Sequence, residues 1–145
     1  MAVGLALGAL ACTATGCSTT TITSARLNPA IQSTFANLYV LRLAKLGQPA
    51  VPAASFAARA SCGRDAANRP GSGAGDDWIC NIVWRTAGLG TTATAIYDLE
   101  VQTDGCYTAD GDGPQEINGL RTMVTIDGDT VTNPLWQFNG CIEVT

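Results

Sequence analysis

The sequence predicts an α+β domain: one N-terminal helix packed on an antiparallel sheet of about four strands, with two disulfides. Three observations carry this. Residues 28–46 show apolar side chains at helical spacing, segments after residue 77 alternate apolar and polar, and four cysteines are spread over the same stretch. A chain of 145 residues holds one such domain and is too short for two comfortable ones.

The helix is expected to start at Asn28-Pro29, with Asn as cap and Pro in the first turn. Ile31, Phe35, Leu38, Tyr39, Leu43 and Leu46 then share a broad face, and Gly47 with Pro49 stops it. Arg42 falls inside that face. Either its aliphatic stem packs while the guanidinium reaches water, or it pairs with an acid such as Asp98 or Glu100.

Ser55 to Cys62 alternates weakly and reads as a strand, with Phe56, Ala58, Ala60 and Cys62 on one side. Gly63 to Asp77 is polar and glycine-rich and reads as a mobile loop. A phosphate-cradling reading of it fails, because the Walker-type spacing and its lysine are missing. Trp78 to Arg85 is the clearest strand, with Trp78, Cys80, Ile82 and Trp84 inward. Ala95 to Gln102 returns as its hairpin partner, with Tyr97, Leu99 and Val101 inward and Asp98 and Glu100 on a wet face.

Asp104 to Pro114 is dense in Gly and Asp and reads as a turn-rich corner rather than a strand. Leu120 to Ile126 alternates again and reads as a strand, Asp127-Gly128-Asp129 as its turn, and 142–144 as a short edge strand.

The first 16 residues look like an export signal. Ala2 to Ala11 is small and apolar, too short to span a bilayer as a helix, and is followed by Ala14-Thr15-Gly16-Cys17. Small residues before a cysteine at this place resemble a bacterial lipoprotein signal, which implies a lipid on Cys17. Two departures are Ala14, where that pattern prefers Leu, and the lack of a basic leading segment. Cys12 is a poorer second candidate, and plain secretion is the alternative. Residues 17–27 are expected to be a disordered polar tether, leaving 28–145 as the single domain.

Cys62, Cys80, Cys106 and Cys141 remain for the exported part, an even number that argues for two disulfides. Three connectivities are open, and loop lengths favour Cys62–Cys80 with Cys106–Cys141. Each would contribute about 3–4 kcal/mol in the chain-entropy model. A four-thiolate metal site lacks any CxxC spacing.

The chain has no histidine, which removes His triads, His metal sites and the commonest general acid/base. Up to Arg85 seven basic residues stand against three acids; beyond it Arg121 stands against nine acids. The scattered cations and the net charge of −4 argue against a nucleic-acid partner. Asp104, Asp110 and Asp112 are weak candidates for calcium, because the EF-hand pattern breaks at Pro114 and its closing Glu is missing. No catalytic residue, metal or other cofactor is assigned. Trp136, beside Asn133-Pro134, is a candidate contact with a partner.

Trp78-Ile79-Cys80, the run Tyr97 to Val101 with Asp104 to Ala109, and Asn133-Pro134-Leu135 through Cys141 resemble a group of small uncharacterised exported, lipoprotein-type proteins of high-GC Gram-positive bacteria (actinobacteria). That resemblance implies an extracytoplasmic, disulfide-bonded domain and no particular activity. The expected function is a non-catalytic lipoprotein, anchored to the cell membrane by its lipid, that binds an unknown protein or small ligand at the envelope. The alternative is a secreted inhibitor-like module acting on an exported hydrolase through the Gly63–Asp77 loop or Trp136.

Overall fold

The computed structural model describes residues 21–65, 71–88 and 90–143. The expected export signal and the lipid on Cys17 concern residues 1–20, outside that range. One long helix, α1 (Ser24–Lys45), lies across an antiparallel sheet. A 3₁₀ turn at Ala53–Phe56 leads to β1 (Arg59–Arg64), β2 (Gly75–Arg85), β3 (Thr92–Val101) and β4 (Cys106–Gly113). The short strands β5 (Thr122–Val124) and β6 (Thr130–Thr132) form a separate hairpin, and β7 (Gln137–Cys141) returns to pair with β4. The sheet order is β1-β2-β3-β4-β7, so the fold is the expected α+β, with five strands in its main sheet.

Leu27, Ile31, Phe35, Tyr39 and Leu43 recur every fourth residue along α1 and are all buried. The helix begins at Ser24 rather than Asn28, so Pro29 lies inside it. Burying Ile22 and Leu27 is worth roughly 1.5–3 kcal/mol each. That offsets the ~3 kcal/mol an internal proline costs. Residues 22–27 are therefore core and helix, not disordered tether. Freed from capping, Asn28 accepts the Cys62 amide through Oδ1 at 2.8 Å. At the other end Gly47, at φ +71°, stops the helix as expected. The Gly47 and Gln48 amides return to the carbonyls of Ala44 and Leu43 at 3.0 and 2.9 Å, closing the last turn.

Trp78, Cys80, Ile82 and Trp84 of β2 and Ala95, Tyr97, Leu99 and Val101 of β3 face the helix, as the alternation predicts. Phe35 meets Trp84 at 4.7 Å between ring centroids, Tyr39 meets Phe56 at 4.8 Å, and Tyr97 meets Phe138 at 5.0 Å. Both favoured disulfides form, each between directly opposed residues of neighbouring strands.

Four local readings are corrected. Ser55–Cys62 is not one strand: Ala57 takes a left-handed conformation (φ 46°) after the 3₁₀ turn, and β1 starts at Arg59. The glycine-rich loop is shorter than expected, because Gly75 to Asp77 already belong to β2. Asp104–Pro114 is mostly β4, since its amides pair with β3 and β7 on both sides and Tyr107 and Ala109 supply buried anchors. The last strand is 137–141, because Phe138 is the residue that meets the core there. Ile142 continues that pairing by one bond, to the Gly105 carbonyl at 2.9 Å.

Candidate functional site

Between β4 and β7 the chain leaves the sheet, and two buried asparagines hold this insertion at its base. Asn118, fully buried, donates from Nδ2 to the Ile96 carbonyl at 2.7 Å. Asn133 donates from Nδ2 to the carbonyls of Ile117 (2.8 Å) and Leu120 (3.0 Å) and accepts the Leu135 amide at 3.1 Å. Its own amide donates to the Arg121 carbonyl at 2.8 Å. These bonds replace main-chain bonds that an irregular loop cannot make, and they satisfy both side-chain polar atoms of Asn133 and the side-chain nitrogen of Asn118.

The far end of the β5–β6 hairpin is fastened to the helix. The Ile126 amide donates to the Lys45 carbonyl at 3.0 Å, and Ile126 lies close against Gly47. Within the hairpin, the Thr125 amide donates to the Asp129 carbonyl at 2.8 Å, and Gly128 (φ 89°) takes the tight turn.

So held, the hairpin turns its apolar row outward. Leu120, Val124 and Ile126 are 47%, 59% and 70% exposed. The alternation predicted a strand here and was right for Thr122–Val124, but among the described residues no second layer covers its apolar side. A row of exposed aliphatic side chains on a fixed scaffold is the feature most suited to contact with another molecule. Asp127 and Asp129 lie at the tip and Glu116 at the base, while Arg121 and Lys45 lie next to Leu120 and Ile126. The sequence reading missed this site because alternation reports a two-sided strand and not which side meets the core.

The residues singled out from sequence fall elsewhere. Trp136 is half-buried beneath Arg121, whose guanidinium lies 5.2 Å from the ring centre, and Leu135 is the core residue beside it. Asp104 accepts the Cys106 amide at 2.9 Å, and Asp110 accepts the Gln137 side-chain amide at 2.6 Å. Asp112 lies at the far end of β4. Among the described residues no group of three or more His, Cys, Asp or Glu side chains is placed to hold a metal ion.

Asp98 and Glu100 alternate with buried residues of β3 and lie on the face away from α1. An ion pair with Arg42 is therefore ruled out. Arg42 donates instead from Nη2 to the Glu116 carbonyl at 2.9 Å, and burial lowers its pKa from the ordinary arginine value. On the open face, partial desolvation raises the Asp98 pKa, and the carboxylates of Asp112, Asp110 and Asp65 add to it.

No family model, curated protein or solved structure matches the chain. The geometry of its own residues therefore carries the functional argument.

The glycine-rich loop is gripped at its base. Arg64 pairs with Asp77 and donates from Nη2 to the carbonyls of Ser72, Gly73 and Ala74 at 3.0, 2.8 and 2.9 Å. Its guanidinium also covers the Trp78 ring at 4.8 Å. The Gly73 amide donates to the Ile22 carbonyl at 3.0 Å, tying the loop to the segment before α1.

Two disulfides in a domain of this size belong to an oxidising, extracytoplasmic compartment. Among the described residues no helix is long and apolar enough to cross a membrane.

Proposed function

We propose that the chain is a non-catalytic binding module of the cell envelope, held at the membrane by a lipid on Cys17, and that the β5–β6 hairpin is its contact surface. The exposed row Leu120, Val124 and Ile126 on a hairpin anchored at both ends carries this reading. The lipoprotein-like segment before Cys17 and the resemblance to small exported proteins support the location.

Two measurements test it. Intact mass of the native protein should show residues 1–16 removed and a lipid on Cys17; a soluble, unlipidated mature chain would sink the anchoring. A photo-crosslinking side chain at Val124 should yield a discrete adduct in native envelopes, lost when Leu120 and Ile126 are both changed to Ser. A cross-linker at Ser61, on the open sheet face, is the control. The same adducts from both positions would refute the hairpin as the contact.

The Arg64 grip favours a second reading, the inhibitor-like module. A loop whose described residues 72–74 are held by a guanidinium, beside the Cys62–Cys80 bridge, has a fixed base from which to enter the cleft of an exported hydrolase. Inhibition of an exported hydrolase, lost in Arg64→Ala, would move the assignment there.

A further inference from the structure

The two edges of the main sheet are not alike. In the pairing of β1 with β2, the Asp65 amide donates to the Asp77 carbonyl, so the main-chain groups of Ala60, Cys62 and Arg64 point outward. That edge is guarded: Asn28 of α1 accepts the Cys62 amide, and Arg59 adds charge.

The opposite edge is β7. The Ile142 amide donates to the Gly105 carbonyl and the Gly111 amide to the Trp136 carbonyl, which places residues 136, 138, 140 and 142 in the bonded pairs with β4. The N–H and C=O groups of Gln137, Asn139 and Cys141 therefore point away from the sheet. All three residues are exposed, and no described residue bonds to their main chain. β7 carries no charge, proline or bulge, the devices that usually blunt a free edge.

Beside the Cys141 end of this edge runs a groove of about 390 Å³. Ala25, Pro29, Ala30 and Ser33 of α1 form one wall and residues 141–143 the other. Arg26 closes one end by donating from Nη2 to the Glu143 carbonyl at 2.7 Å. Small side chains on the helix leave room there for a larger one from outside.

We propose that β7 accepts an extended segment of another polypeptide as a sixth strand, with one apolar side chain of that segment seated in the groove against α1. The inference rests on the reading of the domain as a binding module and names a second surface and the conformation of what binds it. Main-chain bonds to Gln137, Asn139 and Cys141 supply attachment, and the groove selects the side chain. Asp104, Asp110 and Glu143 border the edge against one cation, Arg26, so the balance is acidic and the segment is neutral or basic. A second copy of this chain does not fit. Its helix-side residues on β7 are Phe138, already buried in its own core, and Gly140, so the groove would stay empty. Two chains of net charge −4 would also repel.

The test is selection of random short peptides displayed on phage against the purified chain, followed by amide exchange and NMR shifts with the selected peptides. The expected peptides alternate apolar residues and carry Lys or Arg, and they protect the amides of Gln137, Asn139 and Cys141. Asn139→Pro removes an outward donor without breaking a bond to β4 and should weaken binding about tenfold or more. Ser33→Trp, at an exposed position, should fill the groove and weaken binding without touching the strand.

Failure to select any peptide, or protection mapped to the β1 edge or the hairpin, overturns the proposal. Protection of the same three amides by concentration-dependent dimerisation without peptide overturns the choice of occupant. The readout is independent of lipid attachment and of the Val124 cross-link, so either reading can fail alone.

Discussion

Gly140→Ala tests how tightly the last strand is fitted to the helix layer. A methyl group at Gly140 would point at the Tyr107 ring, 2.6 Å from Cζ and 3.2 Å from Cε1, with the phenol oxygen nearer still. Tyr107 is 2% exposed, and its hydroxyl lies 3.2 Å from Thr34 Oγ1. Thr34 already donates to the Ala30 carbonyl at 3.0 Å, so Tyr107 is the donor to Thr34. Two effects oppose each other. Replacing a strand glycine by alanine restricts the unfolded chain and gains up to about 1 kcal/mol. Forcing a buried ring aside costs about 1–3 kcal/mol, and leaving its hydroxyl unpaired costs about 1–3 more. The clash wins, with an expected net loss of about 2–3 kcal/mol. In urea unfolding with a slope of about 1.5 kcal/mol/M, the midpoint should fall by roughly 1.3–2 M at unchanged slope. Tyr107→Phe alone should cost about 1 kcal/mol. In the double variant the atom nearest the new methyl group is gone, so the two losses should sum to more than the pair costs. A loss below about 0.5 kcal/mol for Gly140→Ala would refute the argument, because it would mean that strand and ring are loosely packed.

Arg64→Leu should cost about 3–5 kcal/mol, because the half-buried Asp77 carboxylate loses its guanidinium and three carbonyls lose a donor; adding Asp77→Leu should recover only the carboxylate's share, leaving the cost of the three carbonyls, by thermal unfolding. The bridges should reduce in order, Cys106–Cys141 first, because Cys141 is exposed whereas Cys62 and Cys80 are 7% and 0% exposed; timed alkylation and peptide mass mapping report it. Serine at both Cys106 and Cys141 should cost about 4 kcal/mol for a 35-residue separation, against about 3 for the 18-residue one at Cys62–Cys80, measured in urea. Asp98 binds its proton more tightly folded than unfolded, so its contribution to stability falls as pH rises through the window just above the ordinary carboxylate pKa. Asp98→Asn should therefore raise the melting temperature at pH 7 and flatten its pH dependence between pH 4 and 7. Leu120→Ser with Ile126→Ser should leave the urea midpoint nearly unchanged, since both side chains are exposed, while abolishing the envelope cross-link from position 124.

Local pattern and composition determine much of this protein. The 3.6-residue period from Ile31 to Leu43, the period of two from Trp78 to Val101, the stop at Gly47 and the pairing of four cysteines are all readable from the chain and all appear in the fold. They are readable because each depends on neighbours a few residues away or on loop length alone. Tertiary structure decides the rest. Pro29 sits inside a helix because Ile22 and Leu27 have a core to enter. The Gly-rich stretch 106–113 is a strand because β3 and β7 lie on either side to complete its hydrogen bonds. Leu120, Val124 and Ile126 stay in water because α1 covers the main sheet and no described residue covers the outer side of the hairpin. Whether an apolar row is core or contact surface, and whether a sheet edge is guarded or open, depends on what else arrives in space. That is a property of the assembled domain, which no window of its sequence contains.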